Sequence, residues 1–269
     1  MCGIVTAIAT NNVVPVLLEG LRKLEYRGYD SAGLAVLAGE LTRLRSCGRV
    51  AELAALADAR QLSAHIGIAH TRWATHGVPS ERNAHPHISG GLAVVHNGII
   101  ENFEAIRADL QGKGYVFESE TDTEAIAHLV HYKLQGNIDL FEAVRQATVD
   151  LVGAYAIGVV AEADPFRVIV ARRGSPLLLG IGEDGMYAAS DTAALLQVTR
   201  KIVYLEDGDL AELRRDSYIV IRSDGSPVER DVHISSLSAD AVELGKYRHY
   251  MQKEIFEQPQ ALAQTLELI

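Results

Sequence analysis

The sequence predicts an α+β fold in which antiparallel sheets are covered by helices. Short segments with the alternation or the apolar runs of β-strands occur near the start of the chain and again, in a long series, after residue 153. Segments with helical periodicity lie between and after the first strands. Strands that cluster at both ends of the chain favour antiparallel sheets over a doubly wound parallel sheet.

The first hundred residues begin with a strand and a helix. An apolar run predicts a buried strand over 3–9, and apolar residues on one face predict an amphipathic helix over 14–24. Further strands are predicted at 34–38, 41–46, 65–69 and 92–96, with a helix at 50–59. A long polar loop separates the last two of these strands.

Three helices are predicted next from their capping residues. Asn102 is expected to cap a helix that ends near residue 112. Thr121 and Glu124 have the spacing of a capping box, which puts Asp122 in the first turn of a helix running to about residue 135. Asp139 is expected to cap a helix that continues through residue 151.

The second half of the chain contains a series of short strands separated by Gly and Asp. They are predicted at 154–161, 166–171, 177–179, 186–189, 202–205, 209–213 and 218–222. Beyond residue 240 the sequence becomes polar and helical, and it stops at Ile269 in what reads as the middle of a helix. We therefore expect the chain to be the front part of a longer protein.

The composition excludes several classes of function. The 25 Lys plus Arg and 35 Asp plus Glu give a net charge of −10, which argues against a nucleic-acid-binding protein. The hydrophobic content of 48% is that of a folded chain. The longest apolar stretch, 151–161, is shorter than the roughly 20 residues of a membrane-spanning helix. Without a secretory pattern or a glycosylation acceptor, we expect a cytoplasmic protein.

Cys2 is the first residue that points to chemistry. The only other cysteine is Cys47, so a disulfide framework is not expected. A small second residue permits removal of Met1, which would leave an α-amine with a pKa of about 7.7 to 8.0 on the residue that carries the thiol. That amine can act as the general base for the thiol, directly or through a water molecule. From this feature alone, an incidental cysteine remains an equally good interpretation.

Two polar segments contain further candidates. Arg27 opens the sequence Arg-Gly-Tyr-Asp-Ser-Ala-Gly, for which a simple turn is the plainest interpretation. The segment 70–77, His-Thr-Arg-Trp-Ala-Thr-His-Gly, holds the only Trp, and the segment 83–87 follows it. Loops of this length in compact domains usually bind something. The guanidinium of Arg72 can hold a carboxylate with two parallel hydrogen bonds.

The pair Asn97-Gly98 and the residue Asp122 each have two possible interpretations. An Asn-Gly after a strand is typical of a hairpin turn, but the Asn97 amide and the Gly98 N–H could also act as donors to an oxyanion. Asp122 at a helix start either favours the helix dipole or accepts an ammonium group of a substrate.

The histidines are concentrated in one part of the chain. Six of the ten lie between residues 65 and 96: His65, His70, His76, His85, His87 and His96. No pair has the His-Glu-x-x-His spacing of a helical metal site, and His-Pro-His in a loop is weak ligand spacing. We therefore expect no metal, and expect these imidazoles to bond to loop backbone and to one another.

Taken together, these segments resemble the glutamine amidotransferase domain of the glucosamine-6-phosphate synthase family, which belongs to the N-terminal-nucleophile hydrolases. The segments that carry the resemblance are 1–5, 25–33, 70–77, 83–87, 96–102, 121–124 and 251–255. The resemblance implies a four-layer α/β/β/α sandwich with Cys2 at the end of a central strand. The coarse order of strands and helices is compatible with that architecture.

The resemblance also implies a role for each candidate residue. Cys2 is the nucleophile once Met1 is removed, Asn97 and Gly98 form the oxyanion hole, and Arg27 helps to hold the region of the cysteine. In this family pattern Arg72 binds the α-carboxylate of glutamine and Asp122 binds its α-ammonium group. Trp73 gates the passage of ammonia, and the glutamine pocket is lined by Thr75, His76 and Gly77.

The reaction implied by the resemblance is hydrolysis of L-glutamine to glutamate and ammonia, with no cofactor. In this family the ammonia converts fructose 6-phosphate to glucosamine 6-phosphate in sugar-isomerase domains. The expected organisation is a glutaminase domain over 1–238, then a linker and the start of a sugar-isomerase region over 239–269, within a full-length homodimer. A catalytically silent glutamine-binding module and a His-rich metalloprotein remain as alternatives.

Overall fold

The computed structural model describes residues 2–74, 77–236, 247 and 250–267, and in these it contains fourteen strands and six α-helices. The strands are β1 Gly3–Ala9, β2 Ser31–Leu37, β3 Leu41–Cys47, β4 Ile66–Arg72, β5 His87–Ser89, β6 Leu92–Ile100, β7 Gly153–Ala161, β8 Asp164–Arg173, β9 Leu178–Ile181, β10 Gly185–Ala189, β11 Lys201–Tyr204, β12 Asp209–Leu213, β13 Tyr218–Arg222 and β14 Val232–Ile234. The helices are α1 Val14–Leu24, α2 Val50–Ala59, α3 Phe103–Gly112, α4 Asp122–Leu134, α5 Leu140–Asp150 and α6 Tyr250–Glu267. None of these described helices combines the length and apolar character needed to cross a membrane.

The chain divides into two compact units, Met1–Ser236 and Leu237–Ile269. The first unit contains two antiparallel sheets. The larger sheet has the strand order β14-β11-β9-β10-β1-β4-β2-β3, and the smaller has the order β13-β12-β8-β7-β6-β5. In the second unit the described part is dominated by α6, where Lys253 and Glu257 form an ion pair one turn apart at 3.7 Å.

Three apolar clusters define four layers in the first unit. One cluster lies between α1, α2 and the outer face of the larger sheet, and a second fills the space between the two sheets. The third lies between the smaller sheet and the helices α3, α4 and α5. This arrangement confirms the expected α+β class and the α/β/β/α sandwich.

Strand β1 lies at the centre of the larger sheet, between β10 and β4, and all seven of its residues are buried. Val5 and Ala7 point into the cluster with α1, whereas Ile4 and Ile8 point into the layer between the sheets. Full burial of one such aliphatic side chain contributes about 1.5 to 3 kcal/mol. Because β1 is packed on both faces and paired on both edges, the residue just before it, Cys2, is held in place.

Several predicted elements match the structure, and some do not. The predictions for β1, α1, α2 and the Asp139 cap are confirmed, since the Asp139 side chain accepts a hydrogen bond from the Glu142 N–H at 2.8 Å. Two short strands, β5 and β14, were not predicted. The hairpin-turn interpretation of Asn97-Gly98 is wrong, because β6 continues through both residues and pairs with β7 along its whole length.

Two predicted helix caps are also wrong. The Asn102 side chain does not cap α3; it bonds instead to the Asp150 carbonyl and the Val152 N–H, at 2.9 and 3.0 Å. Thr121 occupies the cap position of α4 without a capping hydrogen bond, because its hydroxyl is paired with the His87 ring. The helix starts where it was predicted to start, but tertiary contacts have taken over the capping side chains.

Candidate active site

Cys2 lies at the point where the ends of strands from both sheets meet. Its Sγ accepts a hydrogen bond from the Trp73 N–H at 3.2 Å, just beyond the end of β4 in the larger sheet. Its carbonyl oxygen accepts a hydrogen bond from the Asn97 Nδ2 at 3.2 Å, on β6 in the smaller sheet. Cys2 is therefore bonded to residues of both sheets, through its thiol on one side and its carbonyl on the other.

The strand that follows Cys2 is anchored by residues after β10. The Ile4 N–H donates to Ser190 Oγ at 3.0 Å, and the Ile4 carbonyl accepts from the Ser190 N–H at 3.1 Å. Arg27 in turn donates to the Ser190 carbonyl at 3.2 Å and to the Asp191 carboxylate at 3.3 Å. Arg27 is thus placed behind the site, where it stabilises the residues that fix the start of β1.

The segment containing Arg27 proves to be more than a turn. Asp30 donates its N–H to the Arg72 carbonyl at 3.0 Å, and its carboxylate accepts from the Ala74 N–H at 2.8 Å. The ring of Tyr29 meets that of Trp73 edge to face, with centroids 5.9 Å apart. These contacts hold the end of β4 and the first residues of the loop beyond it.

The environment of the Cys2 thiol favours its protonated form. Burial raises the pKa of the thiol, against the opposing effects of the Trp73 N–H and the Arg72 guanidinium. The thiolate is the reactive form of cysteine. Because this site does not supply a lowered pKa, a nearby base is needed to take the thiol proton.

Gly98 has a backbone conformation that only glycine tolerates. Its φ is +132°, and a Cβ built on it would lie 1.9 Å from the Ala154 carbonyl oxygen on β7. Its neighbour Asn97 is buried, and the Asn97 Oδ1 lies 3.0 Å from His70 Nε2. The Asn97 carboxamide therefore lies beside the backbone of Cys2, and the next residue, Gly98, lines the cavity.

Two buried groups of opposite charge line the same cavity. The Arg72 guanidinium donates to the Gly77 carbonyl at 3.4 Å; burial lowers its pKa, although the nearby Cys2 and Asp122 oppose that effect. The Asp122 carboxylate accepts from the Ile100 N–H at 2.9 Å and lies 3.8 Å from His96 Nδ1. The Asp122 side chain is thus fixed by β6 while it faces the cavity.

The cavity has a volume of about 20 Å³, room for little more than one water molecule. The residues that line it come from five segments of the first unit: Cys2, Arg72, Trp73, His85, His96, Gly98, Thr121 and Asp122.

The structure brings together most of the site residues predicted from sequence. Five of them line the cavity, Asn97 is bonded to the backbone of Cys2, and Gly77 is bonded to Arg72. Arg27 does not reach the cavity. Thr75 and His76 lie outside the described residues.

Three residues of the cavity wall were not predicted as site residues: His85, His96 and Thr121. The signal that could have found the two histidines was the His-rich segment, which we interpreted as loop hydrogen bonding. His96 Nδ1 bonds to Thr123 Oγ1 at 3.0 Å, whereas the His70 and His85 rings contact each other with centroids 4.2 Å apart. In the described part of the chain, no group of three or more potential ligands is arranged to hold a metal ion.

The chain is similar to known glutamine amidotransferases. The family described as glutamine amidotransferase domain matches residues 70–197. The chain is 55% identical to glutamine–fructose-6-phosphate aminotransferase (isomerizing) of Xylella fastidiosa strain Temecula1, and 59% identical to that of Acidithiobacillus ferridurans. Each of these matches covers 99% of this chain and 44% of the relative, so the chain spans less than half the length of these relatives.

Solved structures show the same fold. Glutamine phosphoribosylpyrophosphate amidotransferase from B. subtilis, in complex with ADP and GMP, superposes with a TM-score of 0.72 at 26% identity, covering 82% of this chain and 49% of that one. A glutamine aminotransferase class-II domain protein from Silicibacter pomeroyi has a TM-score of 0.58 at 15% identity, covers 82% of this chain and 99% of its own, and supports the fold alone. The chain is therefore similar to glutamine amidotransferases both in sequence and in fold.

Proposed function

We propose that this domain hydrolyses the side-chain amide of L-glutamine to glutamate and ammonia, with Cys2 as the nucleophile after removal of Met1. The observation that carries the proposal is the meeting of Cys2, Arg72 and Asp122 at one cavity, with Asn97 bonded to the backbone of Cys2. A thiol, oxyanion donors, a buried cation and a buried anion are the groups that this reaction on a free amino acid requires.

The charges of the cavity match the main-chain groups of free glutamine. Arg72 suits the α-carboxylate, with which it can form two parallel hydrogen bonds, and Asp122 suits the α-ammonium group. Both side chains are nearly fully buried, and a buried charge left without a partner is costly. This arrangement selects free glutamine over glutamine within a peptide, whose α-groups are uncharged amides.

The chemistry follows from the groups around Cys2. The free α-amine of the processed chain takes the thiol proton, since burial keeps the pKa of the thiol raised. The Sγ attacks the side-chain amide carbon, and the resulting oxyanion is bound by Asn97 Nδ2–H and the Gly98 N–H. The C–N bond then breaks, the α-ammonium group returns the proton to the leaving ammonia, and water hydrolyses the γ-glutamyl thioester.

The remaining site residues are given supporting roles in the proposal. Trp73 is 45% exposed at the cavity wall and donates its N–H to Cys2 Sγ, so it is positioned to control passage of ammonia. Gly77 accepts from Arg72 and is assigned to the wall of the glutamine pocket. Thr75 and His76 are assigned to the same pocket from their sequence motif alone. Arg27 keeps the start of β1 in place through Ser190.

We further propose that the whole protein uses the ammonia to convert fructose 6-phosphate to glucosamine 6-phosphate. The names of the relatives and their greater length support this, since the chain covers 44% of them. The division at 1–238 and 239–269 would then separate the glutaminase domain from a linker to sugar-isomerase domains, in a homodimer. A nucleophilic thiol that must stay reduced suits the cytoplasm.

The proposal is tested by labelling and activity together. A diazo-ketone analogue of glutamine should form one adduct, on Cys2 of a chain that lacks Met1, and added glutamine should protect against it. Cys2→Ala should abolish glutamate formation, whereas the matched variant Cys47→Ala should retain it, because Cys47 is exposed and does not line the cavity. Glutamine binding without glutamate formation by the processed chain would refute the proposal and favour a silent binding module.

A further inference from the structure

We propose that His70 is a positioning residue for this reaction: its Nε2–H holds the Asn97 carboxamide in the one orientation in which the Asn97 Nδ2 faces the reacting oxygen. The inference rests on the proposed glutaminase function and deepens it. His70 does not line the cavity, and it acts only through Asn97.

The orientation of the Asn97 carboxamide follows from hydrogen-bonding capacity. The Cys2 carbonyl oxygen can only accept, so the group that faces it at 3.2 Å is the Asn97 Nδ2. The Asn97 Oδ1, which can also only accept, therefore faces His70 Nε2 at 3.0 Å. It follows that His70 Nε2 carries a hydrogen and donates it.

The surroundings of His70 keep its ring neutral. The residue is fully buried on β4, and the His85 ring contacts its ring with centroids 4.2 Å apart and planes at 33°. The titratable groups that face it are His85, His96 and the Arg72 guanidinium, so a second proton would be added next to an existing positive charge. Burial lowers the pKa of His70 to about 3, although its hydrogen bond to Asn97 opposes this.

The consequence concerns the two hydrogens of the Asn97 Nδ2. One is used by the Cys2 carbonyl, and the other remains for the oxyanion. The Cys2 carbonyl and the His70 donor both favour this orientation, so without His70 only the Cys2 contact would oppose rotation of the carboxamide. A rotated carboxamide would point its oxygen at both the Cys2 carbonyl and the oxyanion, which is repulsive.

The test compares three substitutions in the 269-residue chain. Gln can place an amide nitrogen near the position of Nε2, whereas Asn is too short and Leu has no donor. Removing an oxyanion donor costs about 10²–10³ in kcat, so loss of its support should cost about ten- to a hundredfold. We expect this loss in kcat for His70→Leu and His70→Asn, with the KM for glutamine changed less than about threefold and with most of the rate restored in His70→Gln.

A double-mutant cycle separates positioning from general stability. If His70 acts through Asn97, His70→Leu should cost little further kcat in an Asn97→Ala background, whereas an unrelated structural effect would be additive. Thermal unfolding of each variant shows whether it is folded at the assay temperature. Full additivity, an unchanged kcat in His70→Leu, or equal losses in His70→Gln and His70→Leu would each overturn the proposal.

A second measurement is independent of activity. Nitrogen-15 NMR of the histidine rings in the wild-type chain should show His70 as the Nε2–H tautomer, unchanged from about pH 5 to pH 9. An Nδ1–H tautomer, or titration within this range, would refute the positioning role even in an active enzyme. The expected tautomer in a chain that hydrolyses no glutamine would refute the proposed function, and with it the catalytic purpose of the His70 contact.

Discussion

Replacing Gly98 with alanine is the substitution whose effect the structure specifies most directly. A Cβ at this position would lie 1.9 Å from the Ala154 carbonyl oxygen and 2.7 Å from its carbonyl carbon. Both are backbone atoms of β7, so no side-chain rotation relieves the overlap. The strand pair β6–β7 must separate locally, where Ile99 is paired with Ala154.

The expected loss of stability has two parts. A non-glycine residue held at a φ of +132° costs about 1 to 3 kcal/mol. Forcing an additional methyl group into a packed site typically costs about another 1 to 3 kcal/mol. A total near 4 kcal/mol lowers the melting temperature of a domain of this size by about 8 to 16 °C.

Gly112→Ala is the matched control. Gly112 is the last residue of α3, and a Cβ added there would meet no atom within 4 Å. The same chemical change is expected to stabilise the helix by up to about 1 kcal/mol, because alanine loses less backbone entropy than glycine.

Thermal and urea unfolding, followed by circular dichroism, would measure both variants. Gly98→Ala should also lose glutaminase activity at temperatures where it is still folded, since its N–H is moved away from Cys2. A melting temperature within 2 °C or so of wild type for Gly98→Ala would refute the steric argument. So would a larger destabilisation by Gly112→Ala.

Three further predictions concern charge and protonation. Burial would raise the pKa of Glu124, but hydrogen bonds from His128 and from loop N–H groups lower it to about 2. The stabilisation by this carboxylate is therefore present above pH 4.5 and lost as the pH falls towards 2. In Glu124→Gln, the free energy of unfolding in urea should fall less on acidification than in the wild type, by up to about 3 kcal/mol. Asp122→Asn should raise the KM for glutamine about 100-fold or more in steady-state assays, and an unchanged KM would contradict its assignment to the α-ammonium group. In a chain that retains Met1, the alkylation rate of Cys2 by iodoacetamide, followed by mass spectrometry, should still rise above pH 9 because burial raises the pKa of the thiol; a plateau near pH 7 would contradict this.

The sequence is most informative where one chemical cause determines the local structure. The apolar run of β1 predicts a strand because the strand is buried on both faces of its sheet. The apolar face of α1 predicts a helix because only its helical spacing puts those residues on one buried side. Strands β5 and β14 were missed because each has three residues and no alternation over so short a span. They form because β6 and β11 offer them partners, and such partners are visible only in three dimensions.

The caps illustrate how tertiary contacts override local signals. The spacing of Thr121 and Glu124 predicts reciprocal capping of α4. In the structure the Glu124 carboxylate instead accepts from the N–H groups of Glu118 and Ser119, at 2.8 and 2.6 Å. The carboxylate holds the loop before the helix. The start of α4 was therefore predicted correctly, although the reciprocal capping on which the prediction rested is not formed.

Some features of the candidate site could likewise be predicted from sequence, and others could not. Segments such as 70–77 could be assigned from their motif, and their residues do meet at the cavity. The contact between His70 and Asn97 could not be predicted, because it joins residues 27 positions apart on strands of different sheets. No periodicity within either strand encodes that meeting.

Because the site is divided between two sheets, the apolar layer between the sheets sets the distance between the two parts of the site. The side chains of Ile68 and Val95 meet near Gly158 in that layer, and Ile4, two residues from the nucleophile, packs in the same layer. The distance from Cys2 to the Asn97 amide is therefore set by the thickness of a layer of apolar side chains that take no part in the reaction. Sideways slippage of one sheet against the other, by a fraction of a hydrogen-bond length, would uncouple the thiol from its oxyanion donors while both sheets stayed intact.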